Sequence, residues 1–228
     1  MHEEFVTLLR NNENHAVAFD GRFDDLQESQ DPGVVTVCCS DSRVLQDRMW
    51  DNDGPGRIFT VGNIGNRVRQ RTDEGEAVSG DVLYPIVHAD AHTAVVVGHT
   101  GCGAVTAAHD ALTDGLDEPP GIAHSVDLVV RRIRPGYEAL PADLDRAAAV
   151  NRLVEYNVDR GVAALRGSED VPDDVTAVGV VYDFQDVYGG RRGEVHVINV
   201  DGETGVGALR ADHPEVEDRI RRLWDPDA

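Results

Sequence analysis

Four short apolar runs, each dominated by valine and each too short for a helix, constrain this chain more than any other feature. Residues 34–38 (VVTVC), 58–61 (IFTV), 94–98 (AVVVG) and 177–182 (AVGVVY) are almost continuously apolar. A strand with one wet face alternates in polarity, whereas an unbroken run suits a strand covered on both faces, as in a parallel sheet between helices. Residues 194–200 (EVHVINV) do alternate, and they follow the turn signal YGGRRG. That pattern predicts an edge strand antiparallel to its predecessor. Helical periodicity covers residues 79–89, 104–112, 126–134, 144–165 and 214–224, with Pro85 expected to bend or shorten the first of these. Residues 113–121 (TDGLDEPPG) read as a loop. The expected fold class is α/β: a mostly parallel central β-sheet with an antiparallel edge strand, flanked by helices. At 228 residues, a single domain over 1–228 is the simplest organisation.

The charge balance narrows the partners. Asp and Glu number 42 against 21 basic residues, all of them arginine, for a net charge of -21. Such a surface repels nucleic acid and other polyphosphates. Its self-repulsion is relieved where the Debye length falls to ~3 Å, near 1 M salt, so we read the composition as adaptation to a salt-rich cytoplasm. No stretch approaches the roughly 18 apolar residues needed to cross a bilayer, and the N-terminus has no signal-peptide core, so a cytoplasmic protein with no membrane partner is expected. Three cysteines, an odd number, do not make a disulfide framework and favour thiols used for metal or catalysis.

Two of those cysteines stand in CCSDSR (Cys38 to Arg43), at the end of the first valine run, and the third in GHTGCG, at the end of another. Ligands of open α/β sheets gather beyond the carboxyl ends of strands. His99-x-x-Cys102 leaves a strand and enters a helix, so imidazole and thiol can face one point while helix amides favour the thiolate. Glycines 98, 101 and 103 are expected to permit a tight turn there. Adding Cys39 gives two thiolates and an imidazole, a donor set suited to Zn²⁺, with the fourth position open as in catalytic zinc sites. Successive strand residues point to opposite faces, so Cys38 reads as a small core residue and Cys39 as the ligand.

CSDSRV followed about sixty residues later by GHTGCGAV resembles the β-class carbonic anhydrases, and the likeness extends through GRIFTVGNIGN, DVLYPIV and VGVVYD. The resemblance implies that Cys39, His99 and Cys102 bind one zinc ion per subunit. It implies that Asp41 and Arg43 form the neighbouring catalytic pair, with zinc hydroxide attacking carbon dioxide to give bicarbonate and a proton. It also implies a substrate pocket of Gln30, Phe59, Ile64 and Tyr84, which the residues alone would not single out. Self-association as a dimer or tetramer is implied too, with an N-terminal helical arm over residues 1–30 packing on a neighbouring subunit. Members with an inhibitory bicarbonate site have a Trp and an Arg where this chain has Thr36 and Gly62, so that site is expected to be absent. None of the other histidines has a second ligand at convincing spacing. The rival readings are a CS2 or COS hydrolase on the same scaffold, a non-catalytic zinc-stabilised bicarbonate-binding protein, and a redox protein using Cys38 and Cys39.

Overall fold

The valine runs lie side by side in the computed structural model, which describes residues 2–224. In chain order the elements are α1 (Glu3–Phe19), β1 (Val34–Cys39), β2 (Ile58–Asn63), β3 (Arg69–Thr72), β4 (Gly75–Val78), α2 (Gly80–His88), β5 (Thr93–His99), α3 (Gly103–Asp114), α4 (Pro120–Glu138), α5 (Arg146–Arg166), β6 (Thr176–Asp183), β7 (Glu194–Val200) and α6 (Val206–Asp212). The sheet order is β2-β1-β5-β6-β7; the first four strands are parallel and β7 pairs antiparallel with β6. The mostly parallel α/β sheet expected from the valine runs is therefore present. The register sets Cys39 beside Asn63 and His99 beside Tyr182, so β1 and β5 deliver their last residues to the same end of the sheet.

Burial on both faces explains the lack of alternation. Val35, Val37 and Cys39 of β1 belong to the main core with Val96, Val158 and Val162. Cys38, one residue away, packs on the opposite face with Val95, Val97 and Val180. Burial pushes the Cys38 thiol up to about 12, as befits an inert core sulfur.

Several boundaries differ from expectation for identifiable reasons. Pro85 does not end α2, which runs on to His88 behind a Ser79 cap that accepts from the Asp81 amide at 3.4 Å. Helix α4 starts earlier than expected because Pro120 occupies its first turn, where no amide donor is required. The loop is thereby reduced to residues 115–119. The helix expected over 214–224 is corrected: α6 precedes it, Pro214–Arg219 forms only a 3-10 turn, and Ile220 bridges to Val197 of β7. The amides of Leu223 and Trp224 donate instead to the buried Glu155 carboxylate, at 2.8 and 2.6 Å, which removes the need for a helical partner. The β3–β4 hairpin went unanticipated because RQRT and GEAV carry no apolar alternation. Helix α1 buries none of its residues, and Phe5, Leu8, Leu9 and Val17 are exposed.

Candidate metal centre

The three ligand candidates meet. One donor atom from each of Cys39, His99 and Cys102 lies within 4.8 Å of the other two, and the residues are only 5%, 1% and 2% exposed. Cys39 ends β1, His99 ends β5, and Cys102 is the residue from which α3 departs. The two sulfurs are 3.8 Å apart. That is about the edge of a tetrahedron built on ~2.3 Å zinc–sulfur bonds. His99 Nδ1 donates to the Thr100 carbonyl at 3.0 Å, which leaves the Nε2 lone pair facing the thiols. Nε2 is buried and has no hydrogen-bond partner among the described residues. A buried nitrogen of this kind beside two thiols is costly unless something binds it, so the residues fit a zinc ion.

The thiols act as a pair. Cys39 is held low because Cys102 hydrogen-bonds to its thiolate, and Cys102 is correspondingly pushed up. The amides of Ala104 and Val105 favour a Cys102 thiolate without forming a full capping bond, and the Gly65 amide does the same for Cys39.

Asp41 stands against this cluster, with Oδ2 at 3.7 Å from His99 Nε2. It is reached within two residues of the strand because Asp41 N bonds back to the Cys39 carbonyl at 2.8 Å. Arg43 grips it three times: Nε to Oδ1 at 2.9 Å, Nη2 to Oδ2 at 2.7 Å, and its own amide to Oδ1 at 2.9 Å. These bonds hold the Asp41 carboxyl well below the usual carboxylate range. Arg43 Nη2 also donates to the Gly101 carbonyl at 3.1 Å, which ties the β1 loop to the His99–Cys102 turn.

Of the three glycines expected to make that turn, Gly101 does so, with φ at +60°. The Gln185 amide oxygen would lie 2.7 Å from any Cβ there. Gly98 is needed for close approach instead, since a Cβ would come within 2.7 Å of Val158. Nothing crowds Gly103.

The remaining candidates are more dispersed. Ile64 lies in the turn leaving β2, beside Gly65, and is 43% exposed. Phe59 is level with Val35, four residues upstream of the Asn63 that flanks Cys39. It is therefore ~13 Å from the ligand end along the strand. Its ring packs on Tyr84 of α2 at 6.4 Å between centroids. Gln30 is exposed in the irregular chain ahead of β1.

Sequence reasoning missed Phe184, which follows β6 at the same end of the sheet. Its ring stacks on His99 at 5.8 Å between centroids and lies under the Arg43 guanidinium at 4.7 Å. It also missed Asn151 of α5, whose Oδ1 accepts the Gly101 amide at 2.9 Å. The position of Phe184 directly after VGVVYD was the available signal; a polar residue within a helix such as Asn151 gave none.

Fold and site define a parallel α/β protein with two thiols and one imidazole gathered beyond the ends of two strands, and a clamped carboxylate alongside. The model of the carbonic anhydrase family matches residues 34–191. The carbonic anhydrase of Pseudomonas aeruginosa is 30% identical over 200 residues, covering 85% of this chain and 84% of that protein. Carbonic anhydrase 2 of Mycobacterium tuberculosis is 30% identical over 167 residues, covering 71% and 74%. A tetrameric β-carbonic anhydrase of Sordaria macrospora superposes with a TM-score of 0.71 at 23% identity, covering 87% of this chain and 98% of that one. The chain belongs to the carbonic anhydrase family and has the fold of the β-carbonic anhydrases.

Proposed function

We propose that this chain is a zinc enzyme for the reversible hydration of carbon dioxide to bicarbonate and a proton. The observation that carries the reading is the convergence of Cys39, His99 Nε2 and Cys102 beside a carboxylate already fixed by an arginine. Zinc held by those three atoms supplies a Lewis acid that makes water a nucleophile near neutral pH. Asp41 Oδ2, the carboxylate oxygen nearest the ligands, accepts a hydrogen from the attacking water and aims its lone pair at carbon. Arg43 keeps both Asp41 oxygens engaged and so holds the carboxylate off the metal position. A purely structural metal site has no need of such a pair, which supports turnover over a bicarbonate-sensing role.

Carbon dioxide needs apolar surface, and Ile64, next in chain to the Asn63 that pairs with Cys39, offers it. Phe59 lies too far along β2 to serve its own chain's centre, and its ring packs on Tyr84 of α2; these two and Gln30 complete the pocket across a subunit contact. The exposed apolar residues of α1 support the same self-association, with the arm of residues 1–30 laid on a neighbour. The cysteines are unpaired thiols, which suits the reducing cytoplasm. Among the described residues no helix is long and apolar enough to cross a membrane.

Stopped-flow CO2 hydration at high salt, with zinc analysis of each preparation, tests this reading on the parent, Asp41→Asn and Cys39→Ser. Asp41→Asn is expected to keep zinc and lose rate, and Cys39→Ser to lose both. Full activity in zinc-free Cys39→Ser contradicts it, and faster turnover of COS or CS2 than of CO2 transfers it to the rival substrates.

A further inference from the structure

The β3–β4 hairpin, α4 and α5 border a cavity of about 490 Å³ whose lining includes Arg69, Glu76, Arg131, Arg132, Tyr156 and Arg160. Arg131 is neutralised by Asp127 at 2.8 Å. Among the described residues, Arg69, Arg132 and Arg160 have no carboxylate within 4.0 Å. In a chain with 42 acidic side chains and 21 arginines, a guanidinium has two carboxylates available for each cation. Three arginines drawn from three elements nevertheless face a common space with a single glutamate.

The cost of this arrangement is visible. Arg69 Nε is buried with no partner. Arg132 donates to Asn157 Oδ1 at 3.2 Å. Burial disfavours its charge, Arg67, Arg69 and Arg160 add to the penalty, and Glu76 opposes it. A guanidinium does not deprotonate in a protein, so the fold bears this repulsion unless a negative ligand relieves it.

We propose that this cavity binds a small inorganic oxyanion of the carbonate, phosphate or sulfate kind. The planar donor forks of arginine match such oxygens, and the unpartnered Arg69 Nε supplies a donor that is already desolvated. The net charge of -21 repels extended polyanions, whereas a small ion can enter a locally positive cleft. The site is separate from the metal centre and shares none of its residues.

The test is thermal unfolding of the intact protein titrated with potassium phosphate, sulfate or bicarbonate, the ionic strength being held constant with potassium chloride. The variants are Arg160→Gln and Arg69→Gln; Arg132 is avoided because Asn157, its partner, also donates to the Gly65 carbonyl at 3.3 Å, next to the metal centre. A rise in Tm of roughly 3–6 °C at ten times Kd, growing further with the logarithm of anion concentration, is expected for the parent. Each variant should require roughly 10–100-fold more anion, as the loss of one charged hydrogen bond implies. The three salts compared show which oxyanion fits best. Identical curves for parent and variants, or no shift beyond that of potassium chloride with any of the three, overturn the proposal. So does a change in the variants' assembly mass by light scattering with their anion response equal to the parent's, because the arginines would then face carboxylates of a second copy.

Discussion

Arg43 and Asp41 are joined by two parallel side-chain hydrogen bonds, Nε to Oδ1 at 2.9 Å and Nη2 to Oδ2 at 2.7 Å. The carboxylate is shielded, at 14% exposure, while the guanidinium is half wet, at 48%. Charge alone therefore does not explain the pair; the fork geometry does. Arg43→Lys keeps the charge and loses one of the two bonds, a loss of about 1.5–3 kcal/mol for a charged hydrogen bond. The expected result is a fall in kcat/KM of roughly 10–100-fold with zinc content unchanged, read by stopped-flow hydration.

Phe184 is a positioning residue, since it touches His99 and Arg43 and has no polar group of its own. Phe184→Ala should lower kcat more than it raises KM, and Phe184→Tyr should restore it by returning the ring. A purely structural role would instead appear as a lower Tm with kcat intact.

The adjacent cysteines should separate cleanly. Cys38 packs among Val95, Val97 and Val180 on the face opposite Cys39. Cys38→Ala is expected to retain one zinc per chain and to lose about 1 kcal/mol of stability, whereas Cys39→Ser loses the metal. Metal analysis with chemical unfolding checks both.

The pH dependence follows from Asp41 and from the donor set. Arg43 depresses the folded pKa of Asp41, so the stabilisation is complete above the unfolded carboxylate value of ~3.9 and is lost as pH falls through the lower folded value. The pair stays ionised throughout the mildly acidic range and does not shape the rate there. Two thiolates cancel the charge of a divalent ion, so water at this site is acidified less than beside three neutral imidazoles. Hydration should accelerate toward alkaline pH; a flat profile contradicts this.

Glu155 anchors the C-terminal segment. It is fully buried and accepts from Tyr188 Oη at 2.6 Å as well as from the Leu223 and Trp224 amides. Glu155→Ala strands three donors, one buried and two partly buried, at about 1–3 kcal/mol each, so a loss of roughly 3–5 kcal/mol is expected, allowing for non-additivity. Denaturant midpoints measure it.

The sheet was legible because burial on both faces writes itself as unbroken valine runs, and the candidate ligands because Cys39, His99 and Cys102 stand where those runs stop. The β3–β4 hairpin was not legible, since RQRT and GEAV bury little and pair by backbone alone. The C-terminal segment misled for a different reason: a carboxylate about seventy residues away supplies the partners that a helix would otherwise provide. Phe184 and Asn151 act through contacts made only once β6 and α5 reach the end of β5. Phe59 and Tyr84 were singled out by resemblance; the chain packs their rings together, with Phe59 four residues along β2 from the Asn63 beside Cys39.

The most direct test is to strip the metal and follow the CO2 hydration rate as zinc is returned. The account predicts no rate without zinc and a linear rise that stops at one zinc per chain. A rate that survives complete metal removal, or one that keeps rising beyond one equivalent, contradicts it.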